Sequence, residues 1–376
     1  MVVYLDSNAQ SPILQEVADV LACLIHDIES ICGNPSASHR SGRYTRMLID
    51  KARSSIARAT GYDDKNIVFT SGGTESVNTV MSQGWDVVLL PATEHLCAII
   101  GAKRHATDTH LIPVDNNGIP DYIDAISRYN SVSGKVLLSI SAANNETGGI
   151  LPYKDIIKHA KDFQLSVHID ASQAFCRIPE KWISTGADFI TLSSHKVGGL
   201  PGTGAILIGE HVSKLSPLIC GGGQQLSQRA GSENVLGIVA FGAAVDAYGI
   251  YSWDKIEDIR NDMEKKIKAI APEVVIFCER VNRLPNTSCF AVPGWNSELL
   301  QIQLDLKGFM VSRGSACSTG TSSSGYVIDA MHNGLDLAQC ALRISMSPTI
   351  TNGEIADFVE NWEELYKRWR KKCIAI

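Results

Sequence analysis

Short apolar segments that alternate with helical patterns are the feature of this sequence that most restricts its fold. These segments have the length and composition of buried strands and cover residues 66–70, 85–90, 135–141, 165–170, 188–193 and 204–208. Helical periodicity fills several of the intervals between them, for example residues 153–163. Such alternation is typical of an α/β domain with a mainly parallel mixed sheet flanked by helices.

The pattern changes near residue 250. The later part of the chain predicts a charged helix, two short strands, a further helix and a closing helix, at residues 253–270, 274–277, 288–292, 297–306 and 352–371. We therefore expect a large α/β domain of residues 12–252. A smaller α+β domain would combine residues 1–11 and 253–376, and 376 residues are enough for both.

Charge and composition exclude several classes of protein. The net charge of -6 is unlike that of nucleic-acid-binding domains, which are usually strongly basic. No apolar run reaches the roughly 20 residues that a membrane helix needs. The first residues lack the pattern of a signal peptide, so we expect a cytoplasmic protein, or a mitochondrial matrix protein if a transit peptide was removed. The ten cysteines show no C-x-x-C spacing, which argues against a zinc ribbon or a disulfide framework.

Two predicted strands end in residues that suit covalent cofactor chemistry. The strand at 188–193 is followed by Ser194, His195 and Lys196, and the strand at 165–170 ends in Asp170. A lysine at a strand end can act as an amine nucleophile, and a pyridoxal ring needs an acid against its ring nitrogen. Because ligands bind at the carboxyl ends of parallel strands, the pair predicts a pyridoxal site. Taken separately, Lys196 also fits a surface lysine, and Asp170 fits a helix N-cap.

A third segment offers a phosphate site. Residues 70–76, with the sequence TSGGTES, follow one predicted strand and precede a helix. Glycines and hydroxyls in that position present backbone N–H groups and the positive end of a helix dipole to an anion. The G-K-[ST] element of a P-loop is missing. A plain strand-to-helix turn explains the segment equally well when it is taken in isolation.

Together these segments resemble the cysteine desulfurases of the aminotransferase class V family, which are fold-type I enzymes that depend on pyridoxal 5'-phosphate. The resemblance runs nearly from end to end and keeps the family's order. The matching segments are YLD at 4–6, GNPS at 33–36 with His39, TSGGTE at 70–75, TEH at 93–95, NNETG at 144–148, Asp170 with Gln173, SSHK at 193–196, GGGQ at 221–224, RAGSEN at 229–234, SRGSAC at 312–317 and LRIS at 342–345.

The resemblance implies a role for each matching cofactor residue. Lys196 would carry pyridoxal phosphate as a Schiff base, Asp170 would pair with the ring nitrogen, and His95 would stack on the ring and shuttle protons. The other implied cofactor contacts are Gly73, Thr74, Asn145, Gln173, Ser193, His195 and Ser232. Ser232 stands where the family usually has threonine, at a position that reaches the phosphate of the neighbouring subunit, so the resemblance implies a homodimer.

The resemblance also implies the substrate site and the partners. Arg343 would hold the carboxylate of L-cysteine, a task that suits its planar fork, and Asn145 and Asn34 would assist. Sulfur would pass to an acceptor protein, either a scaffold for Fe–S clusters or a relay for tRNA thiolation. We expect no direct contact with nucleic acid and none with a membrane.

Cys317 is the residue that decides the reaction. It lies in a stretch rich in small residues, residues 315–325, which predicts a mobile loop that resembles the family's long cysteine loop. A thiolate there can take the sulfur atom from bound cysteine and carry it to an acceptor as a persulfide. Exposure of the thiol is what a reactive cysteine requires. The other nine cysteines are interpreted as core or incidental residues.

Some positions depart from the family pattern, at Asn8, Gln10, Ser232 and residues 200–202. None removes a group that the chemistry needs. Three alternatives therefore stay open beside a desulfurase: an aminotransferase, a selenocysteine lyase, and an inactive paralogue that keeps the fold.

Overall fold

The structure is a computed structural model that describes residues 2–129, 134–313, 325–331 and 336–374. Its strands, in chain order from β1 to β13, are Val3–Tyr4, Ile67–Thr70, Val87–Pro91, Asp108–Ile112, Val136–Ser141, Ser166–Asp170, Phe189–Ser193, Gly204–Ile208, Val275–Ile276, Thr287–Ala291, Phe309–Met310, Ser312–Arg313 and Ala341–Ser345. Its α-helices, from α1 to α13, are Gln15–His26, Ile28–Ile31, Arg40–Thr60, Gly73–Met81, Leu96–His105, Tyr122–Ser127, Tyr153–Asp162, Gln224–Ser227, Val235–Tyr248, Trp253–Ile270, Ser297–Leu306, Tyr326–Met331 and Asn352–Ile374.

A seven-stranded sheet forms the centre of the large part of the chain. Its strand order is β2-β8-β7-β6-β5-β3-β4. Strand β8 pairs antiparallel with both of its neighbours, whereas the pairs from β7 to β4 are parallel. Apolar clusters cover both faces of the sheet, since residues such as Ile140 and Ile190 pack on one side and Val88 and Leu137 on the other. The mixed, mainly parallel sheet predicted from the sequence is therefore confirmed.

The six predicted strands of this sheet are all present, and the predicted ends differ from the observed ends by at most two residues. One strand of this seven-stranded sheet is not predicted by the sequence. Strand β4 lies at the edge of the sheet, and its residues Asp108, Thr109 and His110 are polar and largely solvent-exposed. Only its last residue, Ile112, is buried. An edge strand of this kind has no apolar run, which is why periodicity does not reveal it.

A second, four-stranded sheet has the order β12-β13-β10-β9 and is antiparallel throughout. Helices α10 and α13 contact each other beside it, and both agree with the helices predicted there. The N-terminal segment belongs to this region: β1 pairs in parallel with β11, and Asp6 forms a bridge with Ser345 of β13. Residues 6–10 therefore run from the second sheet toward the first.

Helix α9 is apolar around most of its circumference, which is the pattern of a helix buried inside a protein. It packs against α3 and α1. In the described part of the chain, no single helix has the length and hydropathy of a membrane span, although α9 and α10 pass that test as a pair bent by 78°.

The carboxyl ends of the central strands lie along one edge of the sheet. Asp170, the last residue of β6, is in register with Ser141 of β5 and Thr191 of β7. Ser193 ends β7, and Thr70 ends β2 on the far side of β8. Five polar residues from four strands are thus brought to the same edge, which is where an open α/β sheet binds ligands.

Candidate active site

A cavity of about 710 Å³ opens at this edge of the sheet. This volume is within the range of about 300–1,000 Å³ that is usual for small-molecule sites. Its wall combines the turn before α4, the ends of β5, β6 and β7, and residues of the N-terminal segment and of the second sheet. The lining includes ten of the residues predicted for the site: Gly73, Thr74, His95, Asn145, Asp170, Gln173, Ser193, His195, Lys196 and Arg343.

Lys196 ends a single 3₁₀ turn that directly follows β7. Its Nζ donates hydrogen bonds to the carbonyl oxygens of Asn8, at 2.6 Å, and Ala9, at 2.8 Å. Among the described residues it is the one lysine that lines the cavity. The amine is therefore fixed at the wall of the cavity by the N-terminal segment.

Asp170 lies on the same strand as a buried group of hydrogen-bonded polar side chains. Its Oδ1 accepts a hydrogen bond from the backbone N–H of Ser172, at 2.9 Å. Two residues earlier on the same strand, His168 hydrogen-bonds to Ser139 on one side, at 2.8 Å, and to Thr191 on the other, at 3.1 Å. Burial lowers the pKa of His168 to about 4, although Asp170 opposes the shift. A neutral imidazole thus links β5, β6 and β7 through their side chains, two residues before Asp170.

His95 is the N-cap of α5 and faces the cavity. Its Nδ1 accepts a hydrogen bond from the backbone N–H of Cys97, at 3.1 Å, so the proton of the neutral ring is on Nε2. Burial lowers the pKa of His95, Asp170 opposes this shift, and Lys196 adds to it. A neutral histidine with a defined tautomer can both stack on a ring and exchange a proton.

The turn before α4 has the form expected of an anion site. The N-cap of the helix is Gly72, which has no side chain to satisfy the first N–H groups, and Gly73 and Thr74 line the cavity. Gly72 has a φ of 153°, and Gly204 must lack a side chain because a Cβ there would be 2.6 Å from the Gly72 carbonyl carbon. Ser193 Oγ and His195 Nδ1 lie 3.0 Å apart at the same end of the cavity. Burial lowers the pKa of His195 to about 4.

Arg343 enters the cavity from β13 and is almost completely buried. Its Nη2 donates to Asp6 Oδ1 at 2.6 Å, and its Nη1 donates to the carbonyl oxygen of Asn145 at 3.1 Å. Its Nε is buried without a hydrogen-bond partner among the described residues. The guanidinium is therefore held in a fixed orientation, with donor capacity left for a carboxylate ligand.

Two predicted site residues are not brought to the cavity wall, and a third lies outside the described residues. Asn34 is exposed, and its Oδ1 accepts a hydrogen bond from the Ser36 N–H at 2.8 Å. Ser232 is exposed as well and does not line the cavity of its own chain. Cys317 and most of the predicted loop at 315–325 lie outside the described residues.

Several cavity residues were missed by the sequence reasoning. In the sequence, Asn8 is a departure from the family pattern, and no role is expected for Glu94, Cys97 or Glu146. In the structure, Asn8, Cys97 and Glu146 line the cavity. Glu94 lies directly behind its wall, where its carboxylate accepts hydrogen bonds from the N–H and the hydroxyl of Ser141, both at 2.6 Å. Glu94 and Glu146 could have been singled out from the sequence, because they lie in the segments TEH and NNETG, which match the family pattern.

Glu94→Gln is expected to flatten the pH dependence of stability. Burial raises the pKa of Glu94 from 4.5 to about 8, although hydrogen bonds from Ser141 oppose the shift. The folded state thus prefers the protonated form, so this contribution to the free energy of unfolding is complete below pH 4.5 and is lost as pH rises through 8. Glu146, whose pKa burial raises to about 7, acts in the same direction, so the flattening is partial.

Urea unfolding at pH values on both sides of this window measures the effect. Glu298→Gln, at an exposed carboxylate that pairs with Arg313, is the matched control and should keep the slope of the wild type. Equal slopes for the wild type and Glu94→Gln would show that Glu94 is ionised in the folded protein throughout the window.

Within the described ranges, no group of three or more His, Cys, Asp or Glu side chains is arranged to hold a metal ion. The polar groups at the cavity instead include the amine of Lys196, the carboxylate of Asp170, the imidazoles of His95 and His195, the guanidinium of Arg343 and a helix N-terminus. Such a set fits an organic ligand that carries a ring and more than one anionic group.

Comparison with known proteins agrees with this chemistry. A sequence profile described as aminotransferase class-V matches residues 3–358. Cysteine desulfurase IscS of Dictyoglomus turgidum is 32% identical and aligns over 98% of this chain and 95% of its own length. The solved structure of a NifS-like protein from Rickettsia africae superposes with a TM-score of 0.89 at 34% identity, covering 98% of this chain and 100% of that chain. SspA, solved in complex with cysteine, superposes with a TM-score of 0.79 at 25% identity, covering 93% of this chain and 100% of that chain. The chain therefore belongs to the aminotransferase class V family and, within it, to the NifS/IscS-like cysteine desulfurases.

Proposed function

We propose that this chain uses pyridoxal 5'-phosphate to convert L-cysteine to L-alanine, and that it transfers the sulfur atom first to Cys317 and then to an acceptor protein. The observation that carries the proposal is the convergence of four groups on one cavity. They are the amine of Lys196, the carboxylate of Asp170, the N-terminus of α4 and the guanidinium of Arg343. Cysteine as substrate is further supported by the relative SspA, which was solved with cysteine bound.

The residues present fit the cofactor. Pyridoxal phosphate has an aldehyde, a basic ring nitrogen and a phosphate, and the cavity offers a partner of the right kind for each. Lys196 would hold it covalently through Nζ, and Asp170 would keep the ring nitrogen protonated. Free helix N–H groups at Gly73 and Thr74 suit the phosphate, and the uncapped start of α4 adds a favourable dipole.

The remaining cofactor contacts are assigned by position in the cavity. Ser193 and His195 line the cavity near the start of α4 and would hold the phosphate, whereas Gln173 and Asn145 lie toward the second sheet. His95 lines the cavity and would stack on the ring, and its fixed tautomer leaves Nε2 as the nitrogen that exchanges a proton. When bound, pyridoxal phosphate withdraws electrons from the α-carbon of the substrate and so weakens the Cβ–Sγ bond.

The protein itself orients the substrate and moves its protons. Arg343 would bind the carboxylate of cysteine, with Asn145 beside it and Asn34 as a further proposed contact. Lys196 Nζ would take the proton from the α-carbon and return it when alanine forms. His95 Nε2 is the second proton carrier, since burial lowers its pKa and keeps the ring neutral.

Cys317 is proposed as the first sulfur acceptor. Its thiolate would attack Sγ of the substrate, so that a sulfur–sulfur bond forms as the Cβ–Sγ bond breaks and the electron pair of that bond remains on the substrate carbon. The product is a persulfide on Cys317 and, after protonation of the carbon, alanine. The persulfide would then pass to a scaffold for Fe–S clusters or to a relay for tRNA thiolation.

Assembly as a homodimer is also proposed, because Ser232 would then reach the phosphate site of the neighbouring subunit. Its surroundings support an interface: Leu218, Ile219 and Leu226 are all more than a third exposed and lie in the same segment of chain. Clustered exposed apolar side chains of this kind are typical of protein contacts. We further propose a cytoplasmic location.

The proposed division into a large domain of residues 12–252 and a small domain of residues 1–11 and 253–376 is supported by two apolar clusters. One includes Leu14 together with the central sheet and α9. The other joins Val3 and Leu5 to α10 and α13. The N-terminal residues therefore share a core with the end of the chain.

The purified protein is expected to release alanine from L-cysteine in the presence of dithiothreitol, with one sulfide for each alanine. L-Serine is the matched control, since it has the same skeleton but no Cβ–S bond, and it should yield no alanine. Amino-acid analysis and a sulfide assay measure the products. Formation of a keto acid from amino donors, with no alanine from cysteine, would replace the proposal by an aminotransferase.

A further inference from the structure

Asn8 joins the two sheets through a fully occupied side chain. Its Nδ2 donates to the carbonyl oxygen of Asn145, at 3.2 Å, and to Thr287 Oγ1, at 3.0 Å. Its Oδ1 accepts from Arg177 Nη1, at 2.7 Å, and from Asn286 Nδ2, at 3.3 Å. Both amide hydrogens and both carbonyl lone pairs are used, and the residue is only 1% exposed. The position of its backbone is therefore fixed from four directions.

The backbone that is fixed in this way contacts the reactive lysine. Lys196 Nζ lies 2.6 Å from the carbonyl oxygen of Asn8 and 2.8 Å from that of Ala9, two consecutive peptide carbonyls. Gln173 Nε2 shares the Asn8 carbonyl at 2.9 Å, and the Asn8 N–H donates to Ser345 Oγ at 3.0 Å. Lys196 Nζ thus donates to two carbonyl oxygens of a segment that hydrogen bonds connect to both sheets.

Two carbonyl acceptors suit one state of the lysine better than the other. A released lysine amine has two N–H donors, so it can donate to both carbonyl oxygens at once and still keep a lone pair for a proton. A lysine that is bonded to a cofactor aldehyde carbon has at most one N–H left. The pair of carbonyls therefore favours the lysine that has been released.

Resting on the proposed function, we propose that Asn8 is a positioning residue that maintains a resting site for the released amine of Lys196 at the carbonyls of Asn8 and Ala9. When substrate enters, its amine nitrogen forms the C=N bond to the cofactor as the C=N bond to Lys196 breaks, and the two amine hydrogens end on Nζ. Stabilising the released amine shifts this exchange toward bound substrate. It also keeps Nζ at the cavity wall, ready for the α-proton.

The test uses the cofactor-loaded enzyme and titrates it with L-alanine, whose binding displaces Lys196 and changes the cofactor absorption spectrum. In Asn8→Ala the midpoint of this titration is expected to rise by up to about tenfold, the scale of one hydrogen bond. The cofactor content and the spectrum without alanine should stay as in the wild type. Asn8→Ser, which retains one polar group, should shift the midpoint in the same direction and serves if Asn8→Ala does not fold.

Glu264→Gln is the control for a loss of stability alone. It breaks a buried ion pair with Arg283, at 2.7 and 2.8 Å, which does not line the cavity. It should lower the unfolding midpoint without moving the alanine titration. An unchanged titration in both Asn8 variants, or an equal shift in Glu264→Gln, would overturn the inference. A wild type that shows no cofactor absorption would instead overturn the proposed function.

Discussion

Replacing Lys196 by alanine is expected to abolish both the cofactor absorption band and the release of alanine from cysteine. The amine has two functions in the proposed reaction, since it holds the cofactor and moves the α-proton. Proton transfer alone usually contributes about 10²–10⁴-fold to a rate, so activity should fall at least about a thousandfold. Absorption spectra and alanine assays on the same preparations measure both effects.

Lys161→Ala is the matched control for this substitution. Lys161 is partly buried and forms an ion pair with Asp188, which directly precedes β7, but it does not line the cavity. Its loss should leave the absorption band intact. A Lys196→Ala protein that stays yellow and turns over cysteine would exclude Lys196 as the cofactor lysine.

Replacing Cys317 by serine is expected to separate cofactor chemistry from sulfur transfer. The cofactor band should be retained, because no residue proposed to hold the cofactor is changed. Alanine release from cysteine should fall about a hundredfold or more even with dithiothreitol, because the hydroxyl of serine cannot replace a thiolate as sulfur acceptor.

Cys97→Ser is the matched control for Cys317→Ser. Cys97 follows His95 by two residues and lines the cavity, and it is the one cysteine among the described residues that does so. Its substitution should leave the rate of alanine release near that of the wild type. Full activity of Cys317→Ser, with loss of activity in Cys97→Ser, would assign the acceptor role to Cys97.

The sequence allowed the central sheet to be predicted because its strands are buried on both faces and form continuous apolar runs. The same reasoning found the ends of β6 and β7 and therefore placed Asp170 and Lys196 at one edge. Strand β4 was not predicted because its residues at 108–111 are at least partly exposed. Strands β1 and β11 were not predicted because they have only two residues each, which is too short for a pattern.

The part of the site that could not be predicted depends on contacts between distant segments. Asn8 reaches Thr287 across 279 positions of the chain and Arg177 across 169. Nothing in local periodicity connects such residues. Asn34 and Ser232 are the opposite case, because their segments match the family pattern while their side chains lie away from the cavity of their own chain. The proposed homodimer would account for the position of Ser232.

The most direct test of the proposed reaction is to locate the sulfur atom after a single turnover. Cofactor-loaded enzyme is mixed with a limiting amount of L-cysteine without reductant, persulfides are trapped by alkylation, and the peptides that contain the ten cysteines are analysed by mass spectrometry. We predict one added sulfur atom on the Cys317 peptide, in an amount equal to the alanine released. Release of alanine with the added sulfur on Cys97, or with none on Cys317, would contradict the proposed path of sulfur.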